Sequence, residues 1–416
     1  MKIRWLIAVA LALAATGLAI AAVQVYAPKH RRQTWTTIQH GRYLVHAGDC
    51  KACHTAQGGK PFAGGRPVPT PFGVVYSTNI TPDPETGIGE WSERDFYRAM
   101  HFGIARGGKH LYPAFPYPWY TRMTRGDVDA IRAYLDTVKP VRERNRSPQL
   151  GWPFSMRSML KMWDTLYLHP GQYQPDPKRS TAWNRGAYLV NGPGHCGACH
   201  SGKNLLGAPD RDHPMQGGMA EHVFAPNLGA GKRDGLGGWS KQEIVEYLAT
   251  GSNAHATAGG PMAEVVTAST QYLKQRDLEA IATYLKTLDG PRPGEPGKPN
   301  NDTMQQGRAL YVDDCAGCHM DNGTGLPNAF PPLRASSAVQ AAKPQLLLAV
   351  ILEGARSPAT PTKPTGLTMP AFGSKLDDAE IAALTTYIRN AWGNRAGEVS
   401  KGDVSKLRSA FANASH

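Results

Sequence analysis

A chain of 416 residues exceeds what one hydrophobic core ordinarily supports, so two or three domains of roughly 100–150 residues are expected. Apolar residues at 41% and charged residues at 19%, with 45 Gly and 33 Pro, describe a loop-rich globular chain and exclude a disordered or fibrous one. The formal net charge of +13 comes from Lys and Arg spread along the chain, with no basic helix interleaved with aromatics, so it reads as solvated surface charge and not as a nucleic-acid interface.

Residues 1–27 read as a targeting segment. Lys2 and Arg4 precede an apolar run from Trp5 to Val23, which ends shortly before Lys29, His30, Arg31 and Arg32. The run is longer than the roughly 7–15 residues of a signal peptide and close to the ~20 that span a bilayer, which favours a retained N-terminal membrane anchor. Cleavage remains the alternative, after Ala19 and Ala21 or after Val25 and Ala27, although Pro28 makes the second site poor. Either way the body of the chain is expected to be exported.

Beyond this segment a pattern repeats three times. Residues 36–138 form the first unit, with Gly41-Arg42-Tyr43-Leu44-Val45 ahead of Cys50-Lys51-Ala52-Cys53-His54 and a 3.6-period apolar helix from Val128 to Leu135. Residues 139–183 link it to the next; their apolar stretch Trp152 to Leu168 reads as a connecting helix packed between domains, ahead of a quinone or membrane surface. Residues 184–288 repeat the plan with Gly186-Ala187-Tyr188-Leu189-Val190, Cys196-Gly197-Ala198-Cys199-His200 and a helix from Leu278 to Leu285. After a Pro/Gly linker at 289–301, residues 302–395 carry Gly307-Arg308-Ala309-Leu310-Tyr311, Cys315-Ala316-Gly317-Cys318-His319 and a helix from Ile381 to Ile388; 396–416 read as a polar tail.

All six cysteines are used in one way. Cys-x-x-Cys-His is the pattern of covalent haem c attachment: two thiols three positions apart on one helical turn reach the two vinyl groups of a porphyrin edge, and the next residue offers its imidazole to the iron. A thioredoxin-type disulfide would need one Cys-x-x-Cys in a βαβ setting, and zinc would pair such arms in even numbers. Neither accounts for three motifs each followed by His. Three haem c groups are therefore expected, attached to Cys50, Cys53, Cys196, Cys199, Cys315 and Cys318, with His54, His200 and His319 as axial ligands. Their six propionates would bring the net charge to about +7, still able to steer an acidic redox partner.

An N-terminal helix crossing a C-terminal helix around a haem resembles the class I cytochrome c plan, so the fold expected is mainly α, with three tandem class I domains and long loops. In that class a Met in the loop before the C-terminal helix completes the iron coordination. Met369, in Leu367-Thr368-Met369-Pro370, fits the third haem, and Met262, in Gly259-Gly260-Pro261-Met262, fits the second; the competing role for a lone Met is core filling. For the first haem, Leu111-Tyr112-Pro113-Ala114-Phe115-Pro116-Tyr117 holds no Met. Met123 is chosen, against Met100, a bis-histidine site with His101 or His110, or an open iron.

Over roughly residues 36–395 the sequence resembles the triple-haem cytochrome c subunits of bacterial membrane-bound dehydrogenases, the group serving alcohol, gluconate, sorbitol, fructose and aldehyde oxidation. The resemblance rests on the three motifs, on Tyr76-Ser77-Thr78-Asn79-Ile80-Thr81-Pro82-Asp83 with Gly87-Ile88-Gly89, on the segment from Leu111 to Tyr117, and on Gly260-Pro261-Met262-Ala263-Glu264-Val265-Val266. It implies that a backbone carbonyl within Ser77-Thr78-Asn79-Ile80, Ala225-Pro226-Asn227-Leu228 and Pro331-Pro332-Leu333 accepts the proximal His proton, although in the first repeat, where proline is absent, a simple turn is an equal alternative. It also implies a flavin or quinoprotein catalytic partner, ubiquinone as acceptor and a place on the periplasmic side of the inner membrane. Some relatives carry Met where this chain has Phe115, and the polar tail from Gly397 shifts anchoring to Trp5 through Val23. The chain has no nucleotide-binding glycine motif, so substrate chemistry is expected on another subunit. The competing functions are a free-standing shuttle or donor to a terminal oxidase, and a haem peroxidase working at the first iron.

Overall fold

The computed structural model describes residues 34–290, 294–327 and 329–414. The targeting segment, and with it the choice between cleavage and anchoring, lies outside the described residues.

The first domain contains α1 (Trp35–Ala47), the motif helix α2 (Cys50–Cys53), strands β1 (Pro67–Thr70) and β2 (Gly73–Tyr76), then α3 (Glu93–Phe102), α4 (Tyr117–Tyr120) and α5 (Arg125–Leu135). The linker contributes β3 (Gln149–Leu150), which pairs with β2 to complete a small antiparallel sheet, and α6 (Arg157–Tyr167). The second domain holds α7 (Thr181–Asn191), α8 (Gly197–His200), the hairpin β4 (Gly218–Ala220) and β5 (Val223–Ala225), α9 (Lys241–Thr250), α10 (Gly260–Ala268) and α11 (Gln275–Leu285). The third holds α12 (Asn301–Asp314), α13 (Ala316–His319), α14 (Gln345–Glu353), β6 (Ala355–Arg356), β7 (Thr368–Met369), α15 (Asp378–Asn390) and α16 (Lys401–Ala414). The chain is mainly helical, as its periodicity predicts.

Sequence chemistry accounts for the starts of seven helices. Ser92 with Asp95, Ser240 with Glu243 and Asp377 with Glu380 form reciprocal capping boxes, and Thr34, Thr124, Ser180 and Asn300 cap through their side chains. In each domain the N-terminal helix crosses the C-terminal helix at the glycine that opens the repeated stretch. A Cβ on Gly41 would lie 1.8 Å from the Ala130 carbonyl oxygen, on Gly186 2.0 Å from that of Ala280, and on Gly307 2.2 Å from that of Ala383. Only a residue without a side chain lets these helices approach so closely. Around each crossing lies a separate apolar core, built on Leu44, Val128 and Ile131 in the first domain, Leu189, Ile281 and Leu285 in the second, and Tyr311, Ile381 and Leu384 in the third.

The connecting helix sits between the first two domains. Leu160 and Trp163 are buried, Trp163 Nε1 donates to Leu206 O at 2.9 Å, and Asp164 accepts from Tyr117 Oη at 2.6 Å. Its outer side leaves Met162 and Leu166 exposed, with Trp152 before it 82% exposed.

The polar tail packs on the third domain. Residues 401–414 form α16, whose Val404 and Leu407 are buried in the third core together with Val399. Arg408 Nε donates to Asp378 Oδ1 at 2.8 Å and its Nη2 to Leu376 O at 3.2 Å. Arg389, only 2% exposed, donates Nε to Gly397 O at 3.2 Å and Nη1 to Val339 O at 2.9 Å. A few apolar residues at helical spacing and two arginines thus bind the tail to the third domain.

Domains one and two meet through a reciprocal joint. Tyr43 of α1 donates to Asp277, the third residue of α11, and accepts the Lys274 N–H at 3.3 Å; Tyr188 of α7 donates to Asp127, the third residue of α5, and accepts the Thr124 N–H at 3.3 Å. Each aspartate also receives a partner from its own domain, three residues before that domain's tyrosine: Arg185 to Asp277 at 2.8 Å and His40 to Asp127 at 2.7 Å. Equivalent residues of the two repeats thus exchange equivalent bonds, as across a two-fold axis. Burial opposes charge on Asp277, but the bonds from Arg185 and Tyr43 and the Arg185 charge outweigh it and hold its carboxyl below the ordinary range. A depressed carboxyl contributes stability that is full above the unfolded value of about 3.9 and is lost as pH falls through the folded one. Asp277→Asn is therefore expected to cost about 1.5–3 kcal/mol at neutral pH and to flatten the acid limb of the stability profile below pH ~4. Denaturant titrations of both proteins between neutral and acid pH test this, and parallel profiles would refute it.

Candidate haem sites

Each motif is a single helical turn. The N–H of His54 donates to Cys50 O at 2.9 Å, that of His200 to Cys196 O at 3.0 Å and that of His319 to Cys315 O at 2.9 Å, which places both thiols and the imidazole on one local frame. Burial pushes the thiols of Cys50, Cys53, Cys196 and Cys315 up to about 12, and that of Cys199 above its ordinary value.

The three histidines share one second partner. Nδ1 of His54 donates to Thr78 O at 2.6 Å, that of His200 to Pro226 O at 2.7 Å and that of His319 to Pro331 O at 3.0 Å. The carbonyl expected from the resemblance is present in all three repeats, including the first, where the residue is Thr. It fixes the tautomer, orients the ring and leaves Nε2 free as a ligand. Burial holds all three imidazoles below the ordinary histidine value, so they stay neutral.

In the third domain a cavity is lined by Cys315, His319, Pro331, Leu333, Met369 and Phe372 among other apolar side chains. A haem needs two thiols, an imidazole with a free nitrogen and apolar walls, and a thioether completes a low-spin iron. The donor set fits. Met369, expected in a loop, lies in the two-residue strand β7, paired with Ala355 of β6, and shares this cavity with His319.

Met262, likewise expected in a loop, lies in the first turn of α10. Pro261 suits the start of a helix because its missing N–H has no partner to lose there, and the residues after it continue the turn. Met123 is fully buried in the first core. It precedes the cap residue Thr124 as Leu273 precedes Lys274, and Leu273 packs in the second core. Met100 and His101 are both 5% exposed on α3, with His101 stacked on Tyr97 at 4.9 Å. His110 is tied by Nδ1 to Asp164 at 2.6 Å.

The sites adjoin one another. Tyr120 Oη donates to Gly48 O at 2.9 Å, just before Cys50, while its ring meets that of His195, just before Cys196, at 5.4 Å between centroids. Helix α10 packs on the motif helix α2 at one side and on β6, the partner of the Met369 strand, at another. His46 contacts the Ala268 carbonyl at the end of α10 at 3.3 Å and stacks on Tyr272 at 4.1 Å. Two further residues fasten α10 to the first motif: Arg66 donates Nη1 to Ala52 O at 3.0 Å and pairs with Glu264 through both guanidinium nitrogens, Nη2 at 2.8 Å from Oε2. Sequence reasoning missed this joint and the Tyr–Asp exchange. The matched tyrosines in the Gly-x-Tyr-Leu-Val stretches, with an aspartate third in each C-terminal helix, are the signal that could have revealed the exchange.

Three Cys-x-x-Cys-His turns, each with its histidine oriented by a carbonyl beside a helix crossing, fit a multidomain c-type cytochrome. The chain belongs to the cytochrome c family, whose pattern matches residues 38–139, 184–289 and 304–392. Among curated relatives it is 39% identical to the cytochrome c subunit of an alcohol dehydrogenase (quinone) from Gluconobacter oxydans, over 90% of this chain and 83% of that one. It is also 39% identical to a gluconate 2-dehydrogenase cytochrome c subunit from Pantoea cypripedii, over 89% of each chain. A nicotinate dehydrogenase subunit of Pseudomonas putida is 44% identical over 85% of this chain, which spans only 30% of that longer protein.

Proposed function

We propose that this chain is the three-haem electron-transfer subunit of a membrane-bound dehydrogenase, taking electrons from a flavin or quinoprotein catalytic subunit and passing them to ubiquinone. The observation that carries the reading is the threefold recurrence of one site, Cys-x-x-Cys-His with its carbonyl, in a chain that matches dehydrogenase cytochrome c subunits over more than four-fifths of both lengths. Haem iron, when bound, supplies reversible one-electron transfer. The chain's own residues do the rest: the carbonyl-bonded imidazoles give basic, oriented ligands, apolar walls exclude water, and a thioether favours the ferrous state.

In this reading Met369 and Met262 would hold the third and second haems through their thioether sulfurs. For the first haem, the match of Met123 with the core residue Leu273 supports a packing role. Met123→Leu is expected to leave the first haem's spectrum unchanged and to cost less than about 1.5 kcal/mol, the range for a volume-conserving swap. A spectral change confined to that haem would make Met123 the ligand.

Export, and attachment to the periplasmic face of the inner membrane by residues 5–23 or through the complex, belong to the same proposal. Among the described residues no helix is long and apolar enough to cross a membrane. Purification from native membranes in mild detergent, with mass spectrometry of the chain and whatever accompanies it, tests the reading. A stoichiometric dehydrogenase subunit and a chain heavier by three haems are expected. A chain that repeatedly emerges alone would replace the complex by a free-standing shuttle, and fewer than three haems would remove a site.

A further inference from the structure

The segment Gly260-Pro261-Met262-Ala263-Glu264-Val265-Val266 is only partly explained by a methionine that binds iron, because Glu264 is a carboxylate in a segment otherwise small or apolar. Its partner lies in the other domain. Arg66 meets Glu264 with two guanidinium nitrogens, a paired geometry that fixes orientation as well as distance. The same Arg66 Nη1 donates to the carbonyl of Ala52, inside the first Cys-x-x-Cys-His turn, and the Arg66 backbone N–H is held by Ser77 Oγ at 3.0 Å, next to the Thr78 whose carbonyl binds His54. One guanidinium thus joins the attachment turn of the first haem, the segment that orients its histidine and helix α10.

Helical geometry then decides what the pair does to Met262. Residues two apart on an α-helix are turned about 200° from one another, so with Glu264 facing the first domain, Met262 faces away from it, on the side shared with Val266 four residues on. Val266 is fully buried. The nine residues of α10 begin on glycines and lack a side-chain cap, so a helix this short needs tertiary contacts to hold it. Glu264 and the Ala268 carbonyl are the polar anchors toward domain one, and of these only Glu264 lies within one turn of Met262. The ion pair also stands outside the reciprocal exchange that joins the two domains. Glu264 has no acidic counterpart in the first repeat, where the corresponding stretch from Leu111 to Tyr117 is free of charge.

We infer that Glu264 is a positioning residue for the second haem: its pair with Arg66 presses α10 against the first haem's attachment turn and so sets the approach of the Met262 sulfur to iron. The inference rests on the proposal that Met262 is that ligand. The two haem sites then share one fastening, and loosening it at the first domain is felt at the axial bond of the second.

The test uses the intact haem-loaded chain with Glu264→Ala, Arg66→Ala, the charge-exchanged pair Glu264→Arg with Arg66→Glu, and Met262→Leu as reference. Readouts are the near-infrared methionine-to-iron charge-transfer band and a redox titration resolved by haem. Each single variant is expected to lose much of the second haem's share of the band and to lower that haem's potential, with the third haem unchanged; the exchanged pair restores part of both. A pair that only glues the domains would lower the unfolding midpoint without altering band or potential, and that result overturns the inference. If Met262→Leu itself leaves the band intact, it is the ligation proposal that fails.

Discussion

Gly186→Ala is expected to unseat the second domain. The added methyl would stand 2.0 Å from the Ala280 carbonyl oxygen, 2.5 Å from its carbon and 2.9 Å from Tyr284 Cβ. Two of these neighbours are backbone, so no rotamer change relieves the clash and the helices must part. Overpacking a core typically costs 1–3 kcal/mol, and an obstruction by backbone belongs at about 3 kcal/mol or above. Leu189, Ile281 and Leu285 pack around this crossing, so the loss spreads through the domain core. Gly126→Ala is the control: it lies in the first turn of α5, exposed and with open space around it, and is expected to be neutral or slightly stabilising. Denaturant unfolding with haem counted by mass checks both; a wild-type midpoint for Gly186→Ala would refute the close crossing.

Met369→Leu carries the largest expected effect on redox properties. Leucine keeps nearly the volume of methionine, so the third core should lose less than about 1.5 kcal/mol. What it removes is the sulfur that shares a cavity with His319. Without a thioether the ferrous state loses its preference, and the third haem's potential is expected to fall by a sizeable part of the roughly 0.8 V over which axial ligands tune haem. The methionine charge-transfer band of that haem should vanish while the others persist. An unchanged spectrum and potential would place the ligand elsewhere and return Met369 to core filling.

Both predictions concern features visible in the sequence whose meaning came from contacts. The glycine opening each repeated stretch stood out by recurrence, but recurrence names no partner; the carbonyls of Ala130, Ala280 and Ala383 are 76 to 94 residues downstream and become neighbours only when the helices cross. The histidine carbonyl was suggested by resemblance, and in the first repeat Thr78 left a turn equally open until the 2.6 Å bond to His54 was seen. The packing of the tail was not legible because Val404 and Leu407 stand among Lys, Ser and Arg, too sparse for a periodicity argument, while Arg389 and Arg408 supply polar contacts that composition does not reveal.

By itself the sequence determined what depends on covalent spacing and local propensity: three Cys-x-x-Cys-His turns, the mainly helical class, and the C-terminal helices of the three domains. A thiol, a thiol and an imidazole within five positions meet on one turn whatever the rest of the chain does. The tertiary structure alone decided which carbonyl orients each histidine, that α16 belongs to the third core, that Tyr43 and Tyr188 exchange partners with Asp277 and Asp127, and that Arg66 reaches Glu264. Those bonds join residues separated by up to 234 positions, and side-chain chemistry alone cannot choose among the many donors and acceptors available at such range. The choice is made by the packing of whole helices, through the apolar faces that bring distant segments together.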